Sequence, residues 1–322
     1  MLQIDTRLGG QPRYILTDSP LDVMAFPDEI RKCVCFVGYK IASGEVRLGG
    51  TAFWFSRLIE GTDRRFMYLV TARHVIDHIG GMGIAQVLLR LNMKSGSAVW
   101  AQSEVSDWYV HSEPSVDVAV MRAVIPPEVD HVSIGLEMAV TKELISAEQI
   151  GIGDEVFVTG LFKHHYGETN NIPIVRVGNI AAMPGEKVKT EQGAIEAYLI
   201  EARSIGGLSG SPVFVNLGMV RHGKFSSTGK PIFYWMGLVH GHFDVKEGKV
   251  DLADETIDDG VSRSSVNTGI AVVVPVDKVV ETISQPPIKD AEDHIASDLR
   301  KKTHTVPDVV PPKEGSDSAL DR

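Results

Sequence analysis

The chain has 322 residues, 43% hydrophobic and 23% charged, enough apolar material for one large domain or two of moderate size. A formal net charge of −10 argues against a nucleic-acid partner. No apolar run approaches the roughly 18–20 residues that span a bilayer, and no membrane partner is expected.

Residues 1–29 read as an N-terminal extension; Asp5 and Arg7 interrupt what a secretory signal would keep apolar. From residue 30 short β-rich runs follow one another between Gly, Asn, Asp and Pro: "KCVCFVGY", "TAFWFS", "RFMYLVT", "QVLLRL" and "DVAVMR". The only cysteines, Cys33 and Cys35, stand two apart, too close for an ordinary disulfide, and point to a reduced, cytoplasmic protein. After a break near "AVTKELISAEQIGIGD" the runs resume with "EVFVTGL", "IPIVRVGNIAA", "AIEAYLIEA", "PVFVN", "YWMGLVHG" and "GIAVVVP". Two groups of strands with few long amphipathic patterns predict an all-β chain of two barrels, one over 30–145 and one over 146–286.

"PVDKVVETIS" predicts one short helix, with Pro275 close to its start. Past Pro286 the chain turns polar and proline-bearing, so 287–322 reads as a mostly disordered tail, too short for another barrel or a peptide-binding module. Two loops look long, 217–230 and 244–260; the second holds seven acids against two lysines.

The chemistry is concentrated in "GGLSGSP", residues 206–212. A serine hydroxyl is a poor nucleophile without a base in hydrogen-bond reach, an acid to orient that base and donors for the oxyanion. The glycines suit the last need, because they let consecutive backbone N–H groups face one pocket. An α/β-hydrolase elbow, G-x-S-x-G, fails here, since Ser211 stands where its second glycine belongs. The pattern G-x-S-G-[GS]-P fits at every position, with Ser209 as nucleophile and Ser211 as a small packing residue. Upstream, "LVTARHV" supplies His74 in a T-A-x-H setting at a strand end, and "SVDVAVMR" supplies Asp117 at a strand start.

With His, Asp and Ser in this order and these strand contexts, the chain resembles a bacterial trypsin-like (chymotrypsin-fold) serine peptidase over roughly residues 30–285. The resemblance implies two six-stranded antiparallel Greek-key barrels with the active site in the cleft between them. It implies His74, Asp117 and Ser209 as the catalytic residues of an endopeptidase, and the backbone N–H groups of Gly207 and Ser209 as oxyanion hole. A peptide or protein is then the substrate, with no cofactor and no metal. The strand before "VHGHF" is where such enzymes lay the substrate backbone, which makes His240, Gly241 and His242 candidate substrate-binding residues. Arg203 falls at the floor of the specificity pocket, where a cation favours Asp or Glu before the scissile bond; the alternative is an outward Arg203 paired with an acid such as Glu201. Leu208 replaces the Asp that captures a new N-terminus in digestive relatives, Val75 replaces a cysteine, and no length remains for a PDZ domain. A second class of function stays open: a catalytically idle trypsin-fold protein that holds a partner peptide in its cleft.

Other motifs carry less. His74 and His78 sit at helical i, i+4 spacing, but Val75 occupies the place of the glutamate in a zinc-binding HExxH. His164 and His165 read as an exposed turn. Gly218 through Lys224 nearly spell a P-loop, and Phe225 stands where Ser or Thr would hold magnesium.

Overall fold

A computed structural model describes residues 3–4, 14–15, 28–190, 193–202, 206–221, 224–225, 232–246, 249–253 and 265–303. Most of the N-terminal extension therefore lies outside the described residues; within it only β1 (Gln3–Ile4) and β2 (Tyr14–Ile15) pair.

The first large sheet is built from β3 (Val34–Lys40), β4 (Val46–Leu58), β5 (Arg65–Thr71), β6 (Gln86–Asn92), β7 (Ala98–Glu104), β8 (Tyr109–Val110), β9 (Ala119–Ala123) and β10 (Ile134–Gly135). Its spatial order is β7-β6-β3-β4-β5-β9-β8, all antiparallel, with β10 lying parallel against β4. Helix α1 (Arg73–Gly81) follows β5 at once, and α2 (Lys142–Glu148) leads out toward the second sheet. The Thr141 hydroxyl accepts the Leu144 N–H at the start of α2 as an N-cap, and Gln149 closes the helix in the left-handed region at φ 51°.

The second sheet uses β11 (Glu155–Gly160), β12 (Ile174–Ala182), β15 (Tyr198–Glu201), β16 (Pro212–Asn216), β19 (Phe233–Lys246), β20 (Lys249–Ala253) and β21 (Ser265–Pro275). Two small hairpins interrupt it, β13 (Val188–Thr190) with β14 (Gly193–Ile195), and β17 (Val220–Arg221) with β18 (Lys224–Phe225). Because β16 pairs both β11 and β19, the ring β16-β11-β12-β15-β21-β19 closes into a six-stranded antiparallel barrel. The expected all-β architecture is thus present, with one half closed by backbone pairing and the other an open sheet among the described residues. The acidic segment expected as a long loop begins as a hairpin, since β19 runs on to Lys246 and β20 returns along it.

One apolar core joins the halves. Trp235 of β19 is fully buried and packs edge-on against Phe53 of β4, with ring centroids 5.3 Å apart, and against Phe55 at 5.1 Å. Both cysteines of the β3 region are buried and unlinked, and burial pushes their thiols up, away from the reactive thiolate form.

The C-terminal helix starts as expected: Pro275 is the N-cap of α3 (Val276–Ile283). The disordered tail expected over 287–322 needs correction as far as Thr303, and residues 304–322 lie outside the described residues. Residues Pro286–Thr303 form a second helix, α4, that docks on the first sheet. Ile288, Glu292 and Ala296 recur at i, i+4 and i+8 and are all buried. Glu292 accepts hydrogen bonds from Arg57 of β4 and from the Tyr68 hydroxyl of β5. A central carboxylate hides that stripe from a reading of apolar spacing alone. No helix among the described residues is long and apolar enough to cross a membrane.

Candidate active site

The site forms where β5 gives way to α1. Ala72 is extended (φ −70°, ψ 137°) and offers α1 no side-chain cap, so the first-turn N–H groups need outside acceptors. Asp117, just before β9, supplies one: its Oδ1 accepts the backbone N–H of His74 at 2.8 Å. Its Oδ2 lies 2.7 Å from His74 Nδ1. One carboxylate therefore caps the helix and orients the imidazole it carries.

Asp117 is 1% exposed and His74 is 7% exposed, so the pair is largely withdrawn from water. Burial alone would raise the Asp117 carboxyl, but the charges of His74 and His240 and the hydrogen bonds from both rings outweigh it. The group is held well below the usual carboxylate range, and it is a carboxylate at neutral pH. The positive end of α1 acts in the same direction.

The second imidazole was not foreseen as an Asp117 partner. His240 Nδ1 bonds the same Oδ2 that His74 uses, and the two rings stand edge to face at 5.6 Å with an 88° interplanar angle. The local cause is a β-bulge. Against β21, Val239 pairs Val273 and Gly241 pairs Val272, so His240 is an extra residue in β19 and its ring is turned out of the ladder. The candidate substrate wall is thereby divided: Gly241 and His242 stay in register with β21, and the His240 side chain belongs to Asp117.

The glycine turn at 206–211 is tied to both sheets. Gly210 N–H donates to Val239 O at 2.8 Å and Val239 N–H to Ser211 O at 2.9 Å, which fixes the turn to β19. On the other side Thr51 of β4 donates its N–H to Ser209 O at 3.0 Å and its hydroxyl to Gly207 O at 2.8 Å. Thr71 of β5 donates its hydroxyl to Thr51 O at 2.7 Å. Gly210 has φ +82°, and a Cβ there would lie 2.2 Å from Thr51 O and 2.4 Å from Thr71 Oγ1, so no side chain fits. Gly207 also has positive φ, +104°.

Ser209 is fully buried, and its hydroxyl donates to the His240 carbonyl at 3.3 Å. Ser211, also buried, makes its backbone bond to Leu208 O, and its hydroxyl finds no partner among the described residues. Arg203 lies outside the described residues. The buried threonines Thr51 and Thr71 were missed by sequence reasoning; a polar β-branched residue at one end of each of the apolar runs "TAFWF" and "RFMYLVT" is the signal that was available.

His74, Asp117 and His240 are the group of ligating side chains, among the described residues, whose donor atoms converge to within 4.8 Å. The His74–Asp117 contact at 2.7 Å is hydrogen-bond length, so an ion would have to displace ring protons to enter. His78, the other half of the helical histidine pair, stacks edge-on against Tyr39 instead, at 5.9 Å.

No protein-family model matches the chain, and no curated protein matches it in sequence. Among solved structures the chain is similar to the apo form of the MamO protease domain from Magnetospirillum magneticum. That match has 14% identity and a TM-score of 0.43, and it covers 80% of this chain and 99% of that one. It is similar also to the Drosophila Grass clip serine protease of the Toll pathway, with 14% identity, a TM-score of 0.44, and coverage of 83% and 72%.

Proposed function

We propose that the chain is a serine endopeptidase in which Ser209 is the nucleophile, His74 the general base and acid, and Asp117 the group that orients and compensates His74. The observation that carries this reading is the two-point attachment of His74 to Asp117, through ring and main chain, beside a rigid glycine turn bearing a serine. With Nδ1–H committed to Asp117, Nε2 is the nitrogen that can accept a proton.

In the first step Ser209 Oγ attacks the scissile carbonyl carbon while its proton passes to His74 Nε2. The N–H groups of Gly207 and Ser209 would stabilise the oxyanion, a contribution of roughly 3–4 kcal/mol per donor. Collapse of the tetrahedral species breaks the C–N bond, and His74 returns the proton to the leaving amine. Water, deprotonated by His74, then hydrolyses the acyl-enzyme and restores the Ser209 hydroxyl. The substrate backbone would run beside Gly241 and His242.

A fluorophosphonate probe, which bonds only an activated serine, tests the assignment by mass spectrometry. The expected adduct is on Ser209. Ser209→Ala and His74→Ala should lower labelling and peptide hydrolysis by about three orders of magnitude or more, and Ser211→Ala should leave both near wild type. The bond from the Ser209 hydroxyl to the His240 carbonyl favours a second reading, an idle fold that holds a peptide in its cleft. A folded wild type that binds peptides but takes no label would establish that reading instead. Cleavage of a peptide library by wild type and Arg203→Ala reads the specificity pocket; a preference for Asp or Glu before the cut, lost in the variant, would assign Arg203 to its floor.

A further inference from the structure

We infer that His240 is a positioning residue of this site: a second imidazole that fixes Asp117 at the same carboxylate oxygen as His74. The inference rests on the triad reading and adds to it a group outside the triad. Its ground is the donor arrangement at Asp117. Oδ1 takes the His74 backbone N–H, and Oδ2 takes the Nδ1 atoms of both rings. All three side chains are nine-tenths or more buried, with His240 4% exposed. A buried carboxylate keeps its charge and its rotamer only while donors surround it. Two of the three donors belong to His74, the group being positioned; the third, from His240, is independent of α1 and can hold Asp117 while His74 gains and loses a proton.

The fold builds this contact deliberately. The β19–β21 ladder shifts register at His240, between the paired Val239 and Gly241, and again between His242 and Asp244. It turns the ring to Asp117 while leaving the His240 carbonyl directed at the Ser209 hydroxyl, 3.3 Å away. Through one bulged residue the barrel thus touches both the orienting acid and the nucleophile. Removing the ring donor would leave Asp117 held only from α1, and the imidazole it orients would lose its fixed tautomer.

The test separates donor position from bulk. Asn puts an N–H close to where His carries Nδ1, and Gln puts one close to Nε2. In the full chain, His240→Asn should retain fluorophosphonate labelling of Ser209 to within about tenfold, while His240→Gln and His240→Ala should lose about a hundredfold or more at matched thermal midpoints. Equal rates in the Asn and Gln variants would overturn the inference. A second measurement needs no activity: histidine-selective nitrogen NMR of Ser209→Ala. The resonance lost in the additional His240→Asn change should show the Nδ1–H tautomer with a hydrogen-bonded proton, and Asp117→Asn should move it together with that of His74. A His240 ring in the Nε2–H tautomer, unmoved by Asp117→Asn, or one broadened by a tightly bound metal ion, would sink the idea. Absence of labelling in wild type would count against the peptidase reading, whereas the tautomer result decides the role of His240 by itself.

Discussion

The two halves of the molecule solve the problem of sheet edges differently. The second sheet closes on itself, because β16 reaches both β11 and β19. The first leaves β7 and β8 at its ends, and unpaired edges need covering. Its covers come from elsewhere in the chain. At the β8 end, Gln285 Nε2 donates to Val110 O at 3.1 Å and His111 Nε2 meets Glu281 of α3 at 2.9 Å. At the β7 end, Ala98 N–H donates to Thr169 O at 2.6 Å, in the segment that joins β11 to β12. One half is held by its own ladder; the other depends on long-range polar staples. The proposed active site sits where the halves are sewn together, so it inherits both kinds of constraint.

The largest effect should come from the seam itself. Gly210→Ala places a methyl group 2.2 Å from the Thr51 carbonyl in a left-handed conformation. The conformation costs about 1–2 kcal/mol, and the collision with backbone on β4 adds more, so a total above about 4 kcal/mol is expected in urea unfolding. Gly81→Ala, where nothing lies within 4 Å of the added Cβ, should stay within about 1 kcal/mol of wild type. A tolerated Gly210→Ala would mean that the turn does not bind the halves together.

Next comes the helix that covers the open half. Glu292→Ala removes the acceptor for Arg57 and for the buried Tyr68 hydroxyl and should cost about 3–5 kcal/mol. Glu292→Gln, which keeps shape and part of the bonding, should cost less. Loss of the α4 helical signal with little change in overall stability would show that the open sheet does not need its cover.

A third effect is read against pH. The folded-state carboxyl of Asp117 lies below its unfolded value of about 3.9. Its stabilisation is therefore fully present above that value and is lost as pH falls through the folded one. Wild type should lose about 2–3 kcal/mol more than Asp117→Asn between neutral pH and the acid limit, measured by denaturant unfolding at each pH. Parallel pH profiles for the two would remove Asp117 from the forces that join α1 to β9.

Much of this was legible in the letters, for reasons that differ from residue to residue. The meeting of His74 with Asp117, and the rigid turn that carries Ser209, were readable because each residue sits in a short pattern that constrains backbone as well as chemistry: a strand end, a strand start, a glycine turn. The β-runs were readable from length and turn punctuation, and α3 from its proline. His240 could be placed near the cleft, but its partner could not be named, because a bulge shifts one residue out of alternation without leaving a mark in composition. Helix α4 was misjudged because Glu292 interrupts the apolar stripe and is accepted inside only through Arg57 and Tyr68, far away in sequence. Closure of one sheet and not the other depends on pairings between distant strands, which no local pattern records.

The smallest effect belongs to the other edge of the open sheet, and it turns on geometry and not on charge. Arg90 of β6 is 6% exposed, and its guanidinium reaches Gly167 O at 2.8 Å and Glu168 O at 2.6 Å, while lying 5.2 Å from the centre of the Tyr166 ring. Asn92 and Asn171 continue the same staple, with Asn171 Nδ2 donating to Arg90 O at 2.6 Å. Two carbonyls one residue apart match the planar fork of an arginine, and a lysine can offer only a single rotating ammonium to them. Arg90→Lys keeps the charge and loses one bond and the stacking, so it should cost about 1–2 kcal/mol in urea unfolding. Because the segment it holds belongs to the barrel half, exchange of the backbone amides around Ala98 and Thr169 should quicken in Arg90→Lys, while those of the closed ring at Val156 and Val213 stay protected. Faster exchange inside the ring would mean that the closed half also leans on the staple, and the contrast between the two halves would fail.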